Sequence, residues 1–240
     1  MIIAVLWPLS LTLVATGAPN NGTSEVEGEL PKVAVELASL GVQRPSNAAT
    51  TDVGDQASSL AAAIKAVVRV SSDHSAGSGV VIDQTGLVLT AAHIVDDQGS
   101  VRVSIDGKSL EAELVLIDKR RDLALVRLPA GSYPWAQLRD IDAIRPGEPV
   151  TVVGYPLNLA GPATATGGIV SRVFEEVGSS RQVVQTDAAI NIGNSGGPMF
   201  DTRGRVLGIV SSILGEYRST PTSGISFAVS SKTITEKFLR

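Results

Sequence analysis

The sequence predicts an all-β fold, because short strand-like runs succeed one another along most of the chain. From about residue 66, segments rich in Val, Ile, Leu and Thr alternate with turn residues. The 24 glycines and 12 prolines are consistent with many turns. About six strands precede a connection bearing Pro and Gly, Pro129 to Gly147, and about six follow it. Such even spacing favours β-barrels or a β-sandwich.

The N-terminal residues predict a targeting segment followed by a linker. Residues 1–24 carry no charge, and the chain is almost continuously apolar from Ile2 to Val14. This run is shorter than the roughly 20 apolar residues of a confident membrane span. We therefore interpret residues 1–17 as a signal peptide or membrane anchor, which predicts an extracytoplasmic protein: secreted, periplasmic or membrane-anchored. Residues 18–57 are polar and without sustained periodicity, which predicts a flexible linker.

The elements that follow are predicted in order along residues 58–240. The Ala-rich segment from Ser59 to Ala66 favours a helix. A short helix is expected from Ser231 to Leu239, because Ser230 or Ser231 can cap it and its apolar residues share one face. Between these helices, the predicted strands are Ala66–Ser71, Gly79–Asp83, Leu87–Thr90, Val101–Ile105, Leu110–Ile117, Leu123–Leu128, Pro149–Gly154, Ala163–Val173, Gln182–Thr186, Pro198–Phe200, Arg205–Ser212 and Ser223–Val229.

Composition excludes several classes of chemistry. The chain has no cysteine and only two histidines, which excludes disulfides, thiolate metal sites and cysteine nucleophiles and argues against a multi-histidine metal site. The chemistry that the motifs below indicate needs neither a metal nor an organic cofactor, so none is expected. The net charge is −4, and the acidic excess falls within residues 1–60. The rest of the chain, residues 61–240, has no net charge, which argues against nucleic-acid binding.

The sharpest motif is Gly193-Asn194-Ser195-Gly196-Gly197-Pro198, in which a serine lies between glycines. Such a turn can aim backbone N–H groups at a developing oxyanion. The motif also fits the nucleophile elbow of α/β-hydrolases, but no histidine follows Ser195 as those enzymes require. The order of catalytic residues along the chain that remains is His, then Asp, then Ser. His93 follows a strand-like run and can act as a base, while Asp122 opens an apolar strand and can orient the imidazole.

Together these segments resemble the HtrA/Deg branch of chymotrypsin-fold serine proteases. The resemblance spans roughly residues 60–232 and rests on Gly77–Asp83, Leu89–Val95, Asp122–Val126, Gly168–Ser171, Gln185–Asn191, Gly193–Pro198, Gly208–Ser211 and Ile225–Val229. It implies that residues 58–240 form a protease domain of two six-stranded antiparallel β-barrels, at about 64–130 and 147–230, with a short C-terminal helix. It also implies that the site lies in the cleft between them.

The same resemblance assigns roles to individual residues. His93, Asp122 and Ser195 would be the catalytic triad, and Gly193, Asn194 and Ser195 the oxyanion hole. The predicted substrate-binding residues are Ala189, Ile190, Ser211, Ser212, Ile213 and Phe227. The implied reaction is hydrolysis of peptide bonds in unfolded or damaged proteins, so the expected partners are polypeptides.

Departures from related proteases refine this expectation. Digestive relatives carry an aspartate six residues before the nucleophile, where this chain has Ala189, which predicts a small apolar P1 residue. Asp187 is not expected at the pocket floor. Asn194 replaces an aspartate that pairs with a newly cut N-terminus, which predicts activation without such a cut. Ile192 replaces a Pro or Arg frequent in the family, and we expect it to affect the oxyanion loop beside it.

Two alternatives remain open at this level. One is a non-catalytic, chaperone-like binding member of the fold, and the other is a glutamyl endopeptidase. Family members typically carry a peptide-binding PDZ module after the protease motifs, and none is expected within this sequence. The sequence also lacks aromatic residues between Trp7 and Tyr133, which argues against trimer contacts near the start of the domain and leaves the oligomeric state open.

Overall fold

The computed structural model describes residues 3–7, 10–14, 48–95, 100–140, 144–158, 160–176, 178–211, 213–214, 217–218 and 224–239. The chain divides into two units, residues 1–46 and 47–240. Within the first unit, β1 (Ile3–Trp7) pairs antiparallel with β2 (Ser10–Val14). These strands lie in the predicted signal peptide or anchor. Among the described residues, no helix is long and apolar enough to span a membrane.

The second unit opens with α1, Ala48–Ile64. The helix thus begins inside the segment predicted as linker and ends two residues before the predicted Ala66. Polar side chains within it bond to its own backbone, since the Ser58 and Ser59 hydroxyls donate to the carbonyls of Gly54 and Asp55. The first turns of this helix, up to Gln56, are mostly polar and lack the apolar period by which helices are recognised in a sequence. The rest of the predicted linker, up to residue 47, lies outside the described residues.

Six strands close the first barrel in the order β3-β4-β5-β8-β7-β6, with every neighbouring pair antiparallel. The strands are β3 (Val67–Ser71), β4 (Ala76–Val81), β5 (Leu87–Thr90), β6 (Val101–Ile105), β7 (Lys108–Asp118) and β8 (Leu123–Arg127). Strand β4 starts three residues earlier than predicted, because Ala76 and Gly77 still pair with β3.

Six further strands close the second barrel in the order β10-β11-β16-β13-β12-β9. They are β9 (Pro149–Gly154), β10 (Thr164–Glu176), β11 (Arg181–Thr186), β12 (Pro198–Phe200), β13 (Val206–Val210) and β16 (Ser226–Ser230). A small hairpin of β14 (Ile213–Leu214) and β15 (Tyr217–Arg218), which the sequence did not predict, lies between the last two in chain order. Two closed six-stranded antiparallel barrels confirm the predicted fold class.

The chain closes with a helical segment, as predicted. An α-helical turn, Ser231–Thr233, continues as a π-helical turn, Ile234–Phe238. Ser230 caps it by accepting a 3.2 Å hydrogen bond from the backbone N–H of Thr233. Ile234 and Phe238 are buried and belong to the first barrel's apolar cluster.

The apolar cluster of the first barrel extends onto the second barrel, which also has a separate apolar cluster of its own. The cluster that contains Val68 and Leu89 of the first barrel also contains Phe200, Ile209 and Val229 of the second. All five side chains are fully buried. Such burial removes apolar surface from water and fixes the contact between the barrels. Residues at the ends of strands from both barrels can therefore be held together in one site.

Candidate active site

His93 and Asp122 meet on the first barrel. His93 lies in a short 3₁₀ turn, Ala92–Ile94, directly after β5, and Asp122 lies directly before β8, the neighbour of β5. Both oxygens of the Asp122 carboxylate lie 2.9 Å from His93 Nδ1, and Oδ1 also accepts a 3.0 Å hydrogen bond from the His93 backbone N–H. Because an ionised carboxylate only accepts hydrogen bonds, Nδ1 carries a proton, which in the neutral imidazole leaves the lone pair on Nε2.

The backbone of Asp122 is in the left-handed region, with φ of 56°. Few residues other than glycine adopt this conformation, although Asp and Asn tolerate it better than most. It turns the chain between β7 and β8, and the carboxylate is almost fully buried there, with 9% of the side chain exposed. The strained turn thereby aims the acid at the imidazole.

Ser211 brings the second barrel to the same carboxylate. It follows β13, and its hydroxyl donates a 2.6 Å hydrogen bond to Asp122 Oδ2. The backbone N–H of Ser211 donates to the carbonyl of Phe227 on β16, 3.1 Å away, which fixes its position. The sequence predicted Ser211 as a substrate-binding residue, whereas the structure makes its hydroxyl a partner of Asp122.

Ser195 lies in a tight turn of the second barrel, ahead of β12. The N–H of Asn194 donates to the carbonyl of Asn191, 3.0 Å away, and Gly193 between them has φ of 98°. This is the pattern of a type II turn, in which the third residue must have positive φ. The N–H of Asn194 is thus used inside the turn. Of the three residues predicted for the oxyanion hole, Gly193 and Ser195 are those whose N–H groups are expected to donate to the oxyanion, which stays a prediction.

The direction of the Gly193 amide follows from its neighbour. The carbonyl of Ile192 accepts a 2.7 Å hydrogen bond from the N–H of Leu157. In a trans peptide the C=O and the following N–H point in opposite directions. The Gly193 N–H is therefore turned away from Leu157.

Ser78 of the first barrel clamps the serine turn. Its N–H donates to the Ser195 carbonyl at 2.8 Å, and its hydroxyl donates to the Gly193 carbonyl at 2.7 Å. The same hydroxyl accepts from the N–H of Tyr155 at 2.9 Å. Sequence reasoning missed this role, although Ser78 lies in a conspicuous Gly-Ser-Gly motif.

Glycines allow the turn to approach the His93 segment closely. A Cβ on Gly77 would lie 2.7 Å from the Ser195 carbonyl oxygen and 2.8 Å from Cδ1 of Ile94, the residue after His93. A side chain on Gly196 would collide with Ser78 and with the backbone N of Ala91. Only backbone fits between these segments, so the Ser195 turn lies directly against the residues that flank His93.

The remaining predicted substrate-binding residues are only partly described. Ala189 is exposed, and its carbonyl accepts a 2.8 Å hydrogen bond from the Thr166 hydroxyl. Ile190 packs in the second barrel's apolar cluster, and Phe227 packs edge-on against Phe174 with ring centroids 6.4 Å apart. Ile213 lies in β14, and Ser212 lies outside the described residues.

The Asp187 side chain is hydrogen-bonded to a neighbouring strand. Its carboxylate accepts a 2.7 Å hydrogen bond from the N–H of Ile169 on β10.

Among the described residues, no group of three or more His, Asp or Glu side chains could hold a metal ion.

Comparison with known proteins agrees with this architecture. A family model described as the trypsin-like peptidase domain matches residues 77–209. A probable periplasmic serine endoprotease DegP-like of Marinomonas sp. (strain MWYL1) is 41% identical over 161 residues, which are 66% of this chain and 34% of that protein. Serine protease HTRA1 of Xenopus tropicalis is 39% identical over 173 residues, 69% of this chain and 35% of that protein.

A solved structure shows the same fold. The crystal structure of the serine endoprotease from Yersinia pestis superposes with a TM-score of 0.63 and 31% identity, covering 75% of this chain and 64% of that one. The fold of two barrels, the His-Asp pair and the turn in which a serine lies between glycines are typical of a chymotrypsin-like peptidase domain. The chain belongs to the trypsin-like peptidase family, and it is similar to serine proteases of the HtrA/Deg branch. It spans about a third of the length of the curated relatives it matches.

Proposed function

We propose that this chain is a serine endopeptidase in which Ser195 is the nucleophile, His93 the general base and Asp122 the residue that orients His93. One observation carries the proposal: the contact of His93 Nδ1 with the buried Asp122 carboxylate, 2.9 Å to each oxygen. That contact leaves Nε2 as the basic nitrogen, which is the tautomer that serine activation requires. Family membership and the clamped Ser195 turn support the same assignment.

The proposed reaction proceeds in two halves. His93 Nε2 takes the Ser195 hydroxyl proton as Oγ attacks the peptide carbonyl carbon, and the developing oxyanion is stabilised by the Gly193 and Ser195 N–H groups. The C–N bond then breaks as His93 returns the proton to the leaving amine. Water, activated by His93, hydrolyses the acyl-enzyme and regenerates Ser195. Asp122 stabilises the imidazolium that forms in each half.

The direction of the Gly193 amide supports the oxyanion part of this mechanism. The hydrogen bond from the Leu157 N–H to the Ile192 carbonyl fixes the peptide between Ile192 and Gly193, so the direction of the Gly193 N–H is set before substrate binds. Preorganised donors of this kind lower the barrier to acyl transfer more than most other catalytic effects do, since they need no reorganisation during the reaction.

For the substrate, we propose unfolded or damaged polypeptides with a small apolar P1 residue. Ala189 offers no charge to a basic side chain, and the Asp187 carboxylate is engaged with the Ile169 N–H. Two relatives, from Marinomonas and Halomonas, are named probable periplasmic serine endoproteases. We propose an extracytoplasmic location on that basis, together with the uncharged N-terminal segment. Membrane attachment through residues 1–17 is one form of that proposal.

Labelling with a fluorophosphonate probe tests the catalytic proposal. We expect labelling of the intact chain and of the control Ser171→Ala, an exposed serine on β10, and complete loss with Ser195→Ala. Absence of labelling in all three would contradict the proposal and favour the chaperone-like alternative. Cleavage of a peptide library then tests specificity, since a preference for Arg, Lys or Glu at P1 would overturn the small apolar assignment.

A further inference from the structure

The hydroxyl of Ser78 lies between the Ser195 turn and the loop that follows β9, and this residue is fully buried. Its Oγ accepts a hydrogen bond from the Tyr155 N–H at 2.9 Å and donates one to the Gly193 carbonyl at 2.7 Å. A backbone N–H can only donate, so the bond from Tyr155 uses a lone pair of Oγ and leaves the single hydroxyl proton for Gly193. The direction of the Ser78 hydroxyl is therefore fixed.

The Gly193 carbonyl that accepts this proton belongs to a peptide group held at both ends. The N–H of that peptide group, which is the N–H of Asn194, donates to the Asn191 carbonyl at 3.0 Å. The peptide group before Gly193 is held by the bond from Leu157 to Ile192. Glycine adopts positive and negative φ with similar ease, so the residue itself does not select its φ of 98°. The conformation that directs the Gly193 N–H is selected by these contacts with its surroundings.

The first barrel holds Ser78 rigidly in place. The carbonyl of Ser78 accepts a 2.7 Å hydrogen bond from the buried Thr90 hydroxyl on β5. Backbone also packs closely around the side chain, since a Cβ on Gly154 would lie 2.8 Å from Ser78 Oγ and one on Gly197 would lie 3.0 Å from Ser78 Cβ. Loss of the hydroxyl would leave both of its bonded groups without that partner in a closely packed region, where an unpaired polar group is costly.

We propose that Ser78 is a positioning residue for acyl transfer, whose hydroxyl stabilises the conformation of Gly193 in which the Gly193 N–H donates to the substrate oxyanion. This inference rests on the proposed endopeptidase function. It concerns the side chain alone, because the bond from the Ser78 N–H to the Ser195 carbonyl is a backbone contact that other residues at this position would also make. A hydroxyl of the first barrel thereby acts on the second barrel's part of the site.

An effect on the oxyanion donor changes kcat rather than KM. Negative charge develops on the substrate oxygen only as Ser195 Oγ attacks, so a misdirected donor weakens binding of the transition state more than binding of the substrate. For a peptide nitroanilide with alanine at P1, we expect Ser78→Ala to lower kcat about tenfold and to leave KM within about twofold, since one buried hydrogen bond shifts a conformational equilibrium by roughly that factor. Ser78→Gly, which also keeps the backbone bonds, should lose a similar factor and tests the hydroxyl if Ser78→Ala folds poorly.

Inhibition by an acetylated trialanine aldehyde tests the oxyanion directly. Ser195 Oγ adds to the aldehyde carbon, the hydroxyl proton passes to His93, and the aldehyde oxygen takes the negative charge in the place of the substrate oxyanion. The alcohol of the same peptide fills the same subsites but forms no such adduct. The aldehyde should bind Ser78→Ala about tenfold less tightly than the intact chain, whereas the alcohol should bind both equally well.

The matched control is Ser230→Ala. Ser230 is also fully buried, and its hydroxyl accepts a 3.2 Å hydrogen bond from the Thr233 N–H rather than contacting the Ser195 turn. This variant therefore loses a buried serine hydroxyl and a helix cap, and it should lower the thermal midpoint as Ser78→Ala does. It should keep the kcat and the aldehyde affinity of the intact chain.

The outcomes separate this inference from the proposed function. Unchanged kcat and aldehyde inhibition in folded Ser78→Ala or Ser78→Gly would overturn the positioning role and leave the endopeptidase proposal standing. An equal loss of kcat in Ser230→Ala, or equal weakening of the aldehyde and the alcohol, would assign the effect to general destabilisation and overturn the positioning role as well. No turnover of the nitroanilide or of an ester by the intact chain would overturn the proposed function and this inference with it.

Discussion

Ser211 of the second barrel donates a 2.6 Å hydrogen bond to Asp122 of the first, so the acid that orients His93 is held from both barrels. Both residues are buried, with Ser211 1% and Asp122 6% exposed. A hydrogen bond to a buried charged group contributes about 1.5–3 kcal/mol, more than one between neutral groups. The proposed triad therefore depends on a fourth side chain, which the sequence pattern assigned to substrate binding.

Ser211→Ala should lower kcat/KM for a small ester roughly tenfold or more, because Asp122 loses a charged hydrogen bond that fixes its orientation. Ester hydrolysis kinetics measure this directly. Ser171→Ala on the exposed face of β10 serves as the control and should retain full activity. Unchanged kinetics in Ser211→Ala would show that His93 alone positions the carboxylate.

Asp122→Asn should lower kcat by about 10⁴-fold, because an amide no longer requires the proton on His93 Nδ1. Asn tolerates the left-handed backbone as Asp does, so the fold should be kept, which circular dichroism can check. Asp106→Asn is a matched control, since Asp106 is exposed and has φ of 48°. Retained turnover in Asp122→Asn, with Asp106→Asn also normal, would contradict the proposed role of Asp122.

Gly193→Ala should reduce kcat by about 10²-fold or more, because the added methyl group forces the backbone to shift and displaces the N–H that donates to the oxyanion. Its φ of 98° disfavours a side chain, and the new methyl group would collide with the Tyr155 carbonyl. Gly147→Ala provides the comparison, because Gly147 has φ of 88° but its Cβ would meet open space. Steady-state kinetics and circular dichroism of both variants separate loss of the donor from backbone strain. Equal effects in the two would assign the loss to strain alone.

Stability should depend on pH through Glu176. Burial raises the pKa of this carboxyl, but hydrogen bonds from Arg181 and Ser179 outweigh burial and hold the pKa below its usual value of 4.5. A lowered folded-state pKa means that the stabilisation is complete above the unfolded-state value and is lost as pH falls through the folded-state value. Arg181, 3% exposed, also donates to the Arg121 carbonyl at 2.9 Å, so the pair braces the turn before Asp122.

Glu176→Gln should therefore lower the free energy of unfolding by about 3 kcal/mol at neutral pH, since Arg181 is left buried without its counter-charge. The deficit should shrink as the pH falls from the usual glutamate pKa of 4.5 through the lower folded-state pKa, because the parent carboxylate is then protonated as well. Urea denaturation at several pH values measures both effects. Glu111→Gln on the exposed face of β7 should cost less than about 0.5 kcal/mol throughout. A deficit in Glu176→Gln that does not vary with pH would contradict the charge-based account.

Most of the barrel architecture was accessible from the sequence, because alternating apolar strands and turn residues are local signals. The start of α1 at Ala48 could not be predicted from the sequence, since the first turns of this helix are polar. The contact of Ser211 with Asp122 joins residues 89 positions apart, and the clamp by Ser78 joins positions 115 apart. Such pairings depend on how the barrels pack, which no local pattern encodes. The positive φ of Leu157 could not be predicted from the sequence either, since leucine rarely adopts this conformation.

The bonds that cross between the barrels also set the order of events during synthesis. The first barrel leaves the ribosome with His93 and Asp122 in place, but Ser211 and Ser195 are still to come. Conversely, the Ser195 turn has no clamp unless Ser78 is already folded beneath it. The proposed chemistry therefore cannot begin on a half-made chain. Under the proposed function, a newly made chain is inactive until the strands of the second barrel close.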